Sequence, residues 1–228
     1  MRVSGDFVFV VVAFLVISAV IAVLGIVAAR RRRSAMAEYA ASRGWRYVEE
    51  EPLLVDRFTG SPFGEGSGRR AFNVVYGSHD GRDFVSFDYE YRVRSGGQNS
   101  STTTYELSVL ALSLGALMPD LTVDPEGVLD RFVGRLAGSD IDLESEDFNR
   151  AFTVSCPDRK FASDVLHPRM MEFLLQHPQL GWRFQGDAML TVSDGTRNIE
   201  DIDATLAVMD AITDLVPEFV WLRVRGQG

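Results

Sequence analysis

The sequence predicts an α+β protein in which one N-terminal transmembrane helix is followed by a soluble domain with a largely antiparallel sheet and about four helices. Three observations lead to this fold class. Residues 7–29 carry no charge, residues 84–94 alternate between apolar and polar side chains, and the last third of the chain has apolar residues at helical spacing. A run of strands followed by helices is typical of α+β domains.

The uncharged segment at residues 7–29 is long enough to cross a membrane as a helix. Its 23 residues, at about 1.5 Å of rise each, exceed the roughly 30 Å hydrocarbon core of a bilayer. A secretory signal peptide has a shorter apolar core and a cleavage site of small residues, whereas this segment continues into a block of positive charge. We therefore interpret it as an uncleaved single-pass anchor, with residues 1–6 as a short external tail.

Four consecutive arginines follow the anchor: Arg30, Arg31, Arg32 and Arg33. Such a cluster could bind nucleic acid, mark a cleavage site or set the topology. Because Arg2 and Asp6 nearly cancel on the other side of the anchor, the positive-inside rule places the cluster and the rest of the chain in the cytoplasm. The arginines are also expected to attract anionic lipid headgroups, by about 1 kcal/mol each.

The soluble domain at residues 34–228 is acidic. The whole chain has a formal net charge of −9, and removal of residues 1–33, with five arginines and one aspartate, leaves −13. Such a domain is repelled by phosphate backbones, so nucleic acid is not an expected partner. Lys160 is the only lysine, which is typical of a GC-rich bacterial genome and leaves no P-loop. We expect a protein of the bacterial cytoplasmic membrane.

The first half of the domain predicts a helix at residues 34–43 and strands at 45–49, 72–76, 85–93 and 103–114. Gly44 ends the helix in the position that a left-handed cap favours. The turn sequence at residues 77–81 joins two alternating strands into a hairpin, and the third long strand completes a meander.

The second half predicts a helix from Asp124 to Gly138, a strand at 151–156, helical sequence from Asp158 with a break at Pro168, strands at 181–184 and 188–193, and a helix from Asn198. Gly186 and Asp187 are interpreted as the turn between the last two strands. The last helix is expected to bury one apolar face and to leave Asp210 in solvent.

Two segments carry a resemblance to known proteins. They are GWRY at 44–47, directly after the helix that follows the anchor, and FNRAFTVSCPDRKFASDVLHPRMMEFLL at 148–175. Together they resemble a family of bacterial single-pass membrane proteins with one cytoplasmic domain of unknown function. The resemblance implies the same layout here, and no catalytic or binding residue can be carried over from it.

Residues with reactive side chains form no recognised motif. Cys156 cannot form an intramolecular disulfide because it is the only cysteine. It precedes a helix start, where a thiol can be reactive, but it also ends an apolar strand, which favours a buried small residue. The three histidines, at positions 79, 167 and 177, lack the spacing of a metal site. We therefore predict no catalytic residue, no cofactor and no metal.

Two pairs of acidic residues could serve acid–base catalysis or bind a divalent cation. Asp88 and Glu90 share one face of a strand, but Arg92 and Arg94 share it too, so a solvated ion-pair face is the simpler interpretation. Asp201 and Asp203 lie near a helix start, where carboxylates stabilise the helix dipole.

Two hypotheses about function follow from these observations. The first is a membrane-anchored cytoplasmic interaction or scaffold domain with an unknown protein partner. The second is a membrane-tethered hydrolase or cation-dependent enzyme that uses scattered carboxylates. Small residues also form a stripe on the anchor that allows close helix packing and a homodimer: Ser18, Ala22, Gly25 and Ala29.

Overall fold

The structure is a computed structural model that describes residues 5–96, 100–126 and 141–226, with side chains from residue 9 onward. Its elements follow in this order: α1 (Gly5–Ser42), β1 (Arg46–Glu50), a 3-10 turn (Pro52–Leu54), β2 (Ser67–His79), β3 (Arg82–Arg94), β4 (Thr102–Pro125), α2 (Glu146–Ala151), β5 (Phe152–Ser155), α3 (Arg159–Val165), α4 (Pro168–Leu175), β6 (Trp182–Asp194), α5 (Ile199–Leu215) and α6 (Glu218–Arg225). This is the α+β architecture that the sequence predicts.

Helix α1 runs without a break from the apolar segment, through the four arginines and into the domain. Within the described residues it is the one helix long and apolar enough to cross a membrane. The helix predicted at residues 34–43 is therefore the last part of α1 and not a separate element. The sequence contains no proline or glycine between Gly25 and Gly44 that would interrupt the helix.

Six antiparallel strands form one sheet in the order β1-β2-β3-β4-β5, and β6 also pairs with β4. The predicted meander is confirmed, but β4 is about twice as long as expected. Its first part lies between β3 and β6, and its last part lies between β5 and β6. Strand β4 is therefore the centre of the sheet.

The strand pair predicted at residues 181–184 and 188–193 is wrong, because both segments belong to the single strand β6. Gly186 has a positive φ of 60° and pairs with Met118, where the register between β4 and β6 shifts. A bulge in a long strand uses the same residue types as a tight turn. Only the partner strand distinguishes the two.

The predicted helix from Asp124 is wrong at its start, because β4 continues to Pro125. Its remaining residues, 127–138, lie outside the described part of the chain. The break at Pro168 is confirmed, since α3 ends at Val165 and α4 begins at the proline.

Trp45 fixes the turn that follows α1 against the sheet. Its ring packs edge-on against Phe84 with 4.8 Å between ring centroids. Position 77 must be glycine for this contact, because a Cβ there would lie 2.4 Å from the Trp45 ring and 2.7 Å from the Phe84 ring. The tryptophan therefore holds the end of α1 on strands β2 and β3.

The two faces of the sheet are covered differently. On one face the helices pack over the larger core, which includes Met36 and Ala40 of α1. On the other face the segment between β1 and β2 places Leu54, Phe58 and Phe63 over Phe87 and other buried strand residues. Residues of β3 are therefore buried on both faces.

Candidate functional site at the anchor and domain junction

The last part of α1 lies against the sheet along one side of the helix. Met36 is 3% exposed and Ala40 is fully buried, and Arg32 precedes them at the same spacing of four residues. Residues four apart lie on one helical face. The face that buries these apolar side chains therefore also carries Arg32 into the domain.

Arg32 reaches a buried carboxylate on strand β3. Its Nη2 donates to Asp88 at 3.2 Å, and Asp88 is only 2% exposed. The same nitrogen donates to the backbone carbonyl of Arg197 at 3.1 Å. The anchor helix is thus joined to the sheet and to the segment before α5 by one side chain.

Asp88 receives a second hydrogen bond from Asn73. The distance from Asn73 Nδ2 to Asp88 Oδ2 is 2.7 Å, and Tyr47 donates its hydroxyl to Asn73 Oδ1 at 3.0 Å. Asn73 has a positive φ of 51° at a register shift between β2 and β3. Asparagine tolerates this conformation, and bulges commonly redirect a side chain in this way.

Burial raises the pKa of Asp88 to about 6, while the hydrogen bond from Asn73 and the charge of Arg32 act in the opposite direction. The carboxylate is therefore held ionised at neutral pH mainly by these two partners. Because it is closed to solvent, Asp88 cannot act on a substrate as a general base.

Arg197 extends this polar cluster towards the surface. Its guanidinium donates to three hydroxyls, those of Ser108 at 3.1 Å, Thr205 at 2.6 Å and Ser193 at 2.9 Å. Burial lowers its pKa, and Asp201 and Asp88 oppose that shift through their charges. The side chain connects β4, β6 and α5 at one point.

A second polar contact joins the C-terminal end of α1 to α5. The hydroxyl of Tyr39 and the guanidinium of Arg43 both donate to Asp203 of α5. The hydrogen bond to Asp203 is the largest cause of a raised pKa of Tyr39. Asp203 therefore binds α1, whereas Asp201 lies in the first turn of α5 as expected.

An open groove of about 620 Å³ lies beside this junction, between the start of α5 and the segment from α4 to β6. We call it the α5 groove. Arg197, Asp201 and Thr205 line one wall, and the other wall includes His177 and Gln179. The lining offers donors, acceptors and some apolar surface, which suits an extended peptide segment.

The four predicted arginines have different surroundings. Arg30, Arg31 and Arg33 are exposed, and Arg33 lies 3.7 Å from Glu49 in a solvated pair. Arg32 alone of the four is partly buried and binds a buried group of the domain. The sequence alone does not separate the four arginines by their composition or order. Arg32 differs only in its position, four residues before Met36 and eight before Ala40.

The predicted dimer stripe lies on the exposed surface of α1. Its four residues, Ser18, Ala22, Gly25 and Ala29, are all exposed. A side chain at position 25 would have open space around it. The stripe is thus free to pack against another helix, and the homodimer stays a prediction.

The expectation of a solvated face at Asp88 and Glu90 is wrong. Glu90 is 6% exposed and accepts hydrogen bonds from Arg70 at 2.9 Å and Arg92 at 3.1 Å. Asp210 is also buried, at 6% exposure, and binds Arg82. Alternation along a strand or helix shows which residues share a face, but not whether another element covers it.

The remaining candidates for chemistry have structural surroundings. Cys156 is fully buried, and burial raises the pKa of its thiol, so it is the small core residue that the sequence favours. His167 contacts the carbonyl of Leu215 at 3.0 Å. Among the described residues no group of three or more His, Cys, Asp or Glu is placed to hold a metal ion.

Comparison with solved structures shows a shared fold. The chain is similar to the crystal structure of the mycobacterial trehalose monomycolate transport factor A, TtfA, with a TM-score of 0.56 and 18% sequence identity over 81% of this chain and 92% of that chain. At this identity the likeness concerns the fold alone. Comparisons with protein families and with curated proteins find no match.

Proposed function

We propose that this chain is a membrane-anchored cytoplasmic scaffold whose domain binds a protein partner beside the membrane. One observation carries the proposal: the helix that leaves the apolar segment continues into the domain and is fixed there by the pair between Arg32 and Asp88. A domain on a flexible linker could turn freely. A domain on a continuous, docked helix presents the same surface at the same height above the bilayer.

The proposed orientation is N-terminus outside and domain in the cytoplasm, with a single membrane pass. The three exposed arginines, Arg30, Arg31 and Arg33, support this orientation because basic residues at the end of a span are retained on the cytoplasmic side. They are also free to contact anionic headgroups.

The α5 groove is the proposed partner site. Arg197 lines the groove and accepts a hydrogen bond from Arg32 through its carbonyl, so the groove lies close to the start of the cytoplasmic part of α1. A partner segment in this groove would be a cytoplasmic loop or tail near the membrane surface. TtfA is described as a transport factor, and an accessory role beside other membrane proteins fits that description.

A crosslinking experiment tests this proposal. A photoreactive residue at Gln179, which is exposed in the groove, should crosslink one specific protein in cells. Ala204→Trp should abolish the crosslink because it fills the groove, whereas Ala207→Trp should retain it. Both alanines are exposed on α5, but only Ala204 lines the groove. A crosslink that survives Ala204→Trp would contradict the proposed site.

The anchor provides a second proposed contact. Close packing of two copies along the stripe that contains Ala22 and Gly25 would give a homodimer, since small residues let helix backbones approach. A dimer would place two grooves side by side at the membrane.

A further inference from the structure

The β3–β4 hairpin points along α1 towards the membrane. Phe84, early in β3, packs on Trp45 next to Tyr39, and Asp88, four residues later, pairs with Arg32. The strand therefore advances from the end of α1 back towards the anchor. Four strand residues span about 13 Å and the seven helix residues from 39 to 32 span about 11 Å, so the two contacts are about equally far apart on the strand and on the helix.

Beyond its contact with Arg32, β3 continues for several residues in the direction of the anchor. Arg94 is six residues beyond Asp88, about 20 Å along the strand, and it pairs with Thr102 of β4. From Arg32 back to Ala29, the last apolar residue of the anchor, the helix covers only about 4.5 Å. A strand that keeps this direction beyond Arg32 reaches the level of the headgroups, at a depth that depends on tilt and sheet twist.

The composition of this strand end differs from that of the domain. Residues 91–105 contain Arg92 and Arg94 and no carboxylate, although residues 34–228 as a whole carry a formal charge of −13. Val93 is 38% exposed and Tyr105 is 41% exposed, and Tyr105 stacks on Tyr91 at 5.1 Å. Arginine, tyrosine and a single apolar side chain are the residues expected at a membrane interface.

We infer that the end of the β3–β4 hairpin, formed by Val93, Arg94 and Tyr105, is a second membrane contact that binds anionic lipid. The inference rests on the proposed function, because it requires that α1 span the bilayer. Two contacts, one helical and one from the sheet, prevent the domain from rotating about the anchor. The α5 groove then has a fixed orientation relative to the membrane.

Spin labels on the full-length protein test this inference. In a Cys156→Ser background, single labels at positions 20, 93 and 117 are compared in vesicles of neutral lipid with and without anionic lipid. Position 20 lies in the apolar segment, and Leu117 is 71% exposed on β4 beyond the residues that pair with β3. Oxygen, which concentrates in the bilayer, and a water-soluble nickel chelate report the depth of each label.

The label at position 93 should show an oxygen-to-nickel accessibility ratio several-fold above that at position 117, with the larger difference in anionic vesicles. Arg94→Glu should lower the ratio at 93 towards that at 117, whereas Arg159→Glu, at an exposed arginine of α3, should leave it unchanged. Equal ratios at 93 and 117 with a lipid-embedded label at 20 would overturn the inference and leave the anchor intact. A water-exposed label at 20 would overturn the proposed function itself.

Discussion

Arg32 of the anchor helix donates to Asp88 of β3 at 3.2 Å, and the carboxylate has only 2% of its surface exposed. Arg32 itself is 29% exposed, so the pair lies at the edge of the core with its acidic member inside. Removal of the arginine would leave a buried carboxylate without its cation. That situation costs more than the loss of a surface pair.

Arg32→Ala should therefore destabilise the protein by about 2 kcal/mol, which corresponds to about 4 to 8 °C in the unfolding midpoint of a domain of this size. Arg33→Ala is the matched control, because its pair with Glu49 at 3.7 Å is exposed on both sides. We expect a change of about 0.5 kcal/mol or less for the control. Thermal unfolding in detergent measures both, and equal midpoints for the two variants would show that Arg32 is not part of the junction.

The stability of the protein should depend on pH through Asp88. Its folded-state pKa of about 6 lies above the ordinary value of 3.8, so its contribution is fully present below 3.8 and is lost as the pH rises through 6. Asp88→Asn removes this dependence. The stability of the variant relative to the native protein should rise by about 2 to 3 kcal/mol between pH 4 and pH 7.

Asp164 provides a control of opposite sign. Burial raises the pKa of Asp164, but hydrogen bonds from Arg223 and Lys160 together outweigh it and hold the pKa below 3.8, so the contribution of Asp164 is present above 3.8 and is lost as the pH falls through the lowered folded-state pKa. Both the unfolded and the folded pKa of Asp164 therefore lie below pH 4, so the stability of Asp164→Asn relative to the native protein should change little between pH 4 and pH 7 and should rise only when the pH falls below 3.8. An Asp88→Asn profile as flat as that of Asp164→Asn between pH 4 and pH 7 would contradict the assignment of Asp88.

Gly77→Ala should destabilise the turn that follows the anchor by about 1 to 3 kcal/mol, because the new Cβ would overlap the rings of Trp45 and Phe84. Gly96→Ala is the control, since a Cβ there meets no atom within 4 Å. Denaturant unfolding followed by tryptophan fluorescence measures the difference. An unfolding midpoint for Gly77→Ala equal to that of the control would show that Trp45 can repack without cost.

Self-association through the anchor should weaken when its small-residue stripe is filled. Ala22→Leu with Gly25→Leu places bulky side chains where two helices would approach. Ala13→Leu is the control, because helical periodicity puts residue 13 on the opposite side of the span. A membrane reporter assay gives the comparison, and unchanged signal from the double variant would remove the homodimer.

Local patterns predicted those parts of the fold that depend on neighbouring residues in the chain. The hairpin of β2 and β3 and the break at Pro168 follow from turn residues and from the chemistry of proline. The length of β4 and the continuity of β6 depend on their pairing across the sheet, and Gly186 has the same preference for a positive φ in a turn and in a bulge.

The site was harder to predict because its members are distant in sequence. Arg32 and Asp88 are 56 residues apart, and Asp88 looks solvent-exposed until α1 covers its face of the sheet. Arg32, Met36 and Ala40 share one helical face, and no helix breaker separates them from the anchor. These two features indicate that Arg32 belongs to the domain, whereas Arg30, Arg31 and Arg33 are exposed.

The orientation of the anchor should depend on the exposed arginines alone. Arg30, Arg31 and Arg33 can be changed together to glutamine while Arg32 keeps its pair with Asp88, so that topology and folding are affected separately. Fewer basic residues on the cytoplasmic side should give mixed or reversed insertion. Retention of a single orientation would show that the folded domain, and not the charge bias, determines the topology.

Thiol labelling in intact cells tests the central claim most directly. In a Cys156→Ser background, one cysteine replaces Ser4 in the N-terminal tail or Leu117, which is 71% exposed on the domain. An impermeant reagent should label position 4 and spare position 117 until the cells are opened. Labelling of position 117 in intact cells would place the domain outside the cytoplasm and contradict the proposed scaffold.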